Sequence, residues 1–133
     1  MPRFAIAYVS TATVFLALDF VWLSNAARTI YKPRLGAMLL ETPNLPVAAV
    51  FYALYAAAIV ILAVTPALDA GSWLRAALLG AILGAAAYGT YDITNLATLK
   101  NWPVFVSAVD MAWGTIVTAT AAIAGYATTR YLS

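Results

Sequence analysis

The stretch YGTYDITNLATLKNWP, Tyr88–Pro103, decides how this chain is read. It closes a long apolar run, and its first eight residues hold Tyr88, Thr90, Tyr91, Asp92, Thr94 and Asn95. Polar groups at that density are costly in a segment otherwise soluble in lipid. An ionisable side chain inside a membrane span costs at least ~2.5 kcal/mol, so it turns toward protein or water and marks a candidate site. The stretch predicts a membrane-crossing helix with a polar site near one end.

Composition supports that reading. The 133 residues are 65% hydrophobic and only 9% charged, with a mean hydropathy of +0.90. A soluble domain carries about 25% charged residues, so the chain reads as an integral membrane protein. A span needs ~20 apolar residues, which leaves room for one domain of four helices, an all-α transmembrane bundle. The long Ala/Leu/Val runs lack the alternation of β-barrel strands. A net charge of +2, scattered over the loops, argues against nucleic acid as a partner. The absence of Cys and His removes disulfides, thiolate nucleophiles, imidazole chemistry, and haem or zinc sites built on those ligands. No cofactor is expected.

Working outward from Tyr88, the third span covers residues 74–96, with Gly80 and Gly84 spaced for close approach of another helix. The second covers 47–68, carries Tyr52 and Tyr55, and is joined to the third by the turn at Asp69–Trp73. The fourth, 104–128, follows Lys100–Pro103 and carries Asp110 and Trp113. The first, 4–25, is expected to be retained, because Asp19 interrupts what would be the apolar core of a signal peptide. Its residues Tyr8, Ala12, Phe15, Asp19 and Trp22 form one helical seam. Arg28 to Pro46 is the longest connection, with Arg28, Lys32, Arg34 and Glu41. Within it Pro33, Leu35, Met38 and Leu39 fit either a short helix among the head groups or a solvated loop with one helical turn. Asn44-Leu-Pro-Val47 and Asn101-Trp-Pro-Val104 echo each other, as two parallel pseudo-repeated hairpins would, or as two helix caps would.

Alternating span direction then fixes depth. Asp19 ends the first span, Asp92 ends the third and Asp110 begins the fourth, so all three reach one level of the membrane. The loops bearing Arg28, Lys32, Arg34 and Lys100 lie on that side. Asp19/Trp22 and Asp110/Trp113 share a D-x-x-W spacing, and Tyr88, Asp92 and Asn95 fall on one face. The candidate binding residues are Asp19, Trp22, Tyr52, Tyr55, Tyr88, Tyr91, Asp92, Asn95, Asp110 and Trp113, with Trp102 at the same level. The competing reading is structural, since Trp and Tyr populate membrane interfaces and Asp–Tyr hydrogen bonds join helices. No metal site is expected, because hard cations favour more carboxylates in one flexible loop. Four cations on the Asp side against three on the other, plus the α-amino group, do not orient the bundle.

The segments LDFVWL (Leu18–Leu23), FYALY (Phe51–Tyr55), YGTYDITNLATLKNW (Tyr88–Trp102) and VDMAWGT (Val109–Thr115) carry a resemblance over essentially the whole chain. It resembles the bacterial family of predicted membrane proteins filed as domain of unknown function 2177. The resemblance implies a multi-pass, four-helix protein of the bacterial inner (plasma) membrane, and no activity or catalytic residue to carry over. Three functions fit the residues. The first is non-catalytic binding or transport of a lipid head group, amphiphile or cation, which makes membrane lipid the expected partner. The second is an accessory role beside another membrane protein subunit. The third is a lipid-modifying enzyme using one Asp as acid and another as base, disfavoured by the missing nucleophile motif.

Overall fold

The computed structural model describes residues 2–40 and 43–133 and contains no strand among them. Glu41, part of the long connection, lies outside the described residues. Among the described residues, four helical runs are long and apolar enough to cross a membrane: Arg3–Met38, Leu45–Ala70, Trp73–Thr98 and Val104–Leu132. The first comprises α1 (Pro2–Ala26), a π-helical turn (Ala27–Tyr31), α2 (Lys32–Leu35) and a 3₁₀ turn (Gly36–Met38). The second comprises α3 (Leu45–Ile59), a π-helical turn (Val60–Val64) and α4 (Thr65–Ala70). The third and fourth are α5 (Trp73–Thr98) and α6 (Val104–Leu132).

Both π turns stand two residues ahead of a proline, and the backbone shows why. Pro33 has no N–H to give the carbonyl of Thr29, which would interrupt an ordinary α-helix. The chain widens instead, and the Lys32 N–H reaches back five residues to the Ala27 carbonyl. The Arg34 guanidinium supplies the missing donor, bonding the Thr29 and Ile30 carbonyls at 3.3 Å each. At Pro66 the Thr65 N–H reaches back to Val60 in the same way. Helix therefore continues through both prolines.

That continuity departs from the sequence reading of the first span. Helix does not stop near Asn25 but carries on to Leu35, where Gly36 turns left-handed before a 3₁₀ turn, so the helical stretch from Arg3 is roughly 50 Å long at ~1.5 Å per residue. A hydrocarbon core is only ~30 Å thick, so the last turns extend beyond it. The buried seam also differs, running through Ala7, Thr11, Phe15, Asp19, Ala26 and Leu35. Tyr8 sits at its edge, half-buried, and donates to the Ala53 carbonyl on α3 at 2.9 Å.

At the closed end, Gly71 takes a left-handed φ of 64°, which lets the Ser72 N–H bond the Ala67 carbonyl at 3.1 Å and end α4. Ser72 then caps α5 by accepting from the Arg75 N–H at 3.1 Å. Arg3, Asp69, Arg130 and Ser133 border one cleft, so the two ends of the chain and this turn share one face of the bundle. The opposite face holds residues 39–40, 43–44 and 99–103. The two Asn-x-Pro-Val segments differ there. The Asn44 side chain caps α3 by accepting from Val47 N–H at 3.2 Å, whereas Asn101 occupies a left-handed turn and α6 begins from Pro103 with no side-chain cap. The two segments start their helices in different ways.

The core is tight where α5 meets α6. A Cβ on Gly84 would strike the Gly114 carbonyl group and the Thr118 side chain, and one on Gly80 would come within 2.9 Å of the Ala119 backbone. Gly80 and Gly84 thus do on α6 what their spacing predicts. Ile59, Val60, Ala63, Val64, Ala67, Val117 and Ala121 have no exposed surface. The middle of the bundle is closed.

Candidate functional site

Above that core, toward Leu39, Leu40, Pro43, Asn44 and Trp102, the helices separate around a cavity of about 670 Å³. Asp19, Trp22, Tyr52, Tyr88, Tyr91, Asp92, Asp110 and Trp113, eight of the ten candidate residues, line it. Tyr55 and Asn95 do not. Tyr55 lies one turn deeper on α3, buried, with its hydroxyl 2.8 Å from Thr118 Oγ1. Asn95 lies one turn past Asp92 toward the end of α5 and is partly exposed.

The three carboxyl groups are treated differently. Asp19 is held from two helices: Tyr52 Oη donates to Oδ2 at 2.6 Å, and Trp113 Nε1 to Oδ1 at 3.1 Å. Asp110 accepts from Tyr31 Oη at 2.6 Å, and Tyr31 in turn accepts from Trp22 Nε1 at 3.1 Å. The Trp22 and Trp113 rings stack between these two acids, with centroids 4.6 Å apart and planes within 7°. The D-x-x-W spacing thus builds a crossed pair, each tryptophan serving the acid of the other helix directly or through Tyr31.

Asp92 stands apart. It is fully buried, and neither carboxylate oxygen has a hydrogen-bond donor among the described residues. Its backbone is well fixed: Trp102 Nε1 donates to Ser107 Oγ at 2.9 Å, and Ser107 Oγ donates to the Asp92 carbonyl at 2.8 Å. The Asp110 carboxyl lines the same cavity and is also an acceptor, so neither acid can serve the other unless one of them holds a proton. Leaving a buried polar group without a partner costs about 1–3 kcal/mol, and more if it is charged.

Most of the remaining lining comes from the connection expected to hold either a short helix or a loop with one helical turn, and Leu23, Trp102 and Val106 add to it. Tyr31, Lys32 and Leu35 project from the extended first helix, and Met38, Leu39, Leu40, Pro43 and Asn44 follow. Leu35 packs with Trp102 and Val106, and the Arg34 guanidinium lies 4.4 Å over the Phe105 ring. These contacts hold the overhang against α6. Tyr31 is the residue that reading by spans missed. Its signal was periodic: Asp19, Trp22, Ala26, Tyr31 and Leu35 continue one face once the π turn lengthens a step to five. No three His, Cys, Asp or Glu side chains converge to hold a metal ion among the described residues.

One comparison is informative. A family model described as predicted membrane protein (DUF2177) matches residues 4–127, nearly the full length, so the chain belongs to that family. No curated protein and no solved structure matches.

Proposed function

We propose, from membership in a family described as a membrane protein with no activity named, that this chain binds the polar head of an amphiphile from one side of the membrane and leaves it chemically unchanged. The observation that carries the reading is the buried Asp92 carboxyl, fixed in position on a cavity wall and given no donor by the described protein. A bound head group would supply one. The remaining lining suits the rest of an amphiphile, since Leu35, Met38, Leu39 and Leu40 present apolar surface beside the acidic interior. A bare cation would leave that surface unused. Passage through the protein is disfavoured by the packing beneath, where Ile59, Val60, Val64 and Val117 leave no exposed surface. We take the membrane to be a bacterial inner membrane, on the resemblance alone.

Native mass spectrometry of gently solubilised protein tests the reading. We expect a lipid-sized adduct on the native chain that is depleted in Asp92→Asn. Bare protein at all activation energies would sink the proposal. A bound polypeptide in place of lipid would favour the accessory-subunit role, and a chemically converted lipid would favour acid–base catalysis by the Asp92/Asp110 pair.

A further inference from the structure

We infer that the head group this cavity selects is a primary ammonium, as in an aminoethyl phospholipid. The inference rests on the amphiphile-binding reading above and follows from counting donors and acceptors. Most of the protein's own donors at the cavity are already committed, the Tyr88 and Tyr91 hydroxyls and the Lys32 ammonium apart. Tyr52 and Trp113 serve Asp19, Trp22 serves Tyr31, Tyr31 serves Asp110, and Trp102 serves Ser107. The buried capacity left unpaired at the cavity is acceptor, both oxygens of Asp92, and the Oδ2 of Asp110 accepts no bond among the described residues. An alkyl ammonium brings three N–H donors and a positive charge, which matches that set in number and in sign.

Other head groups match less well. A quaternary ammonium carries no N–H, so Asp92 would remain unpaired. Trp22 and Trp113, closed on each other at 4.6 Å, offer it no slot between their rings. A head group with only hydroxyls and a phosphate would bring net negative charge to a wall of carboxyls. Lys32, exposed on α2, is the one cation among the described lining residues, and it suits the phosphate of a zwitterionic head whose ammonium has gone inward.

The test uses the full chain in detergent and the emission of its tryptophans, two of which stack in the cavity. It is titrated separately with dihexanoyl phosphatidylethanolamine, phosphatidylcholine and phosphatidylglycerol, which share chains and differ in head group. We expect the ethanolamine lipid to bind at least about tenfold more tightly than the other two, the effect of satisfying a buried acceptor. In Asp92→Asn that preference should vanish while the melting temperature holds, and Asp110→Asn should reduce it. Equal affinity for the ethanolamine and choline lipids would overturn the ammonium inference and leave amphiphile binding standing. Tightest binding of the glycerol lipid would overturn it as well, since the site would then be reading an anion. Binding of none of the three would overturn both the inference and the reading it rests on.

Discussion

The two ends of this bundle are built on different principles. Toward the end that holds Arg3 and Ser133, and through its middle, helices meet backbone to backbone through glycine, alanine and short β-branched side chains. Toward residues 39–40, 43–44 and 99–103 they part, and aromatic donors and carboxyl acceptors span the gap. The first arrangement closes the interior between the helices and depends on shape. The second encloses about 670 Å³ and depends on paired hydrogen bonds. In a membrane, where lipid tails are as apolar as leucine, close packing gives the bundle its stability. The polar end is free to carry function.

The largest effect should come from spoiling the packed region. Gly84→Ala puts a methyl group against the Gly114 carbonyl and the Thr118 side chain, and nothing there can yield without separating α5 from α6. We expect a loss of about 3 kcal/mol in reversible unfolding, the upper range for overpacking. A neutral result would mean the two ends do not differ as described.

The next effect should come from the polar end. Tyr52→Phe removes one donor from Asp19 and leaves a buried acid half-satisfied, for an expected loss of about 2 kcal/mol in the same assay. Trp113 emission should shift too, because its indole N–H bonds the same carboxyl. If stability is unchanged, the hydrogen bonds at this end are not holding helices together. The smallest effect belongs to the rim of the packed end. Arg3→Ala breaks an ion pair with Asp69 whose side chains are 52% and 69% exposed, and the melting temperature should hardly move, the change being at most about 0.5 kcal/mol.

The packed region was legible in the sequence because it depends on spacing. Gly80 and Gly84 stand four apart on one helix, and an apolar run announces each crossing. The level shared by Asp19, Asp92 and Asp110 followed from alternating direction alone, and all three line the cavity. What spacing could not convey was the overhang of residues 27–38. Pro33 fits the first turn of a separate short helix as well as it fits a continuing one. Only the widened π turn and the Arg34 side chain, which replaces the lost donor, let helix pass Pro33 and bring Tyr31 over Asp110. Nor could sequence tell the three acids apart. Asp19 and Asp92 look equivalent as letters, yet one is clasped by two donors and the other by none among the described residues.

That last difference is the central claim: Asp19 holds the bundle together and Asp92 is held out to a ligand. The direct measurement is a paired one, comparing Asp19→Asn and Asp92→Asn for unfolding free energy and for retention of co-purified lipid. The account predicts that Asp19→Asn loses about 2 kcal/mol, since Tyr52 and Trp113 then face a neutral amide in place of a carboxylate. It predicts that Asp92→Asn keeps the native stability and loses the lipid. A destabilised Asp92→Asn that still carries its lipid would contradict it, making Asp92 one more strut of the bundle.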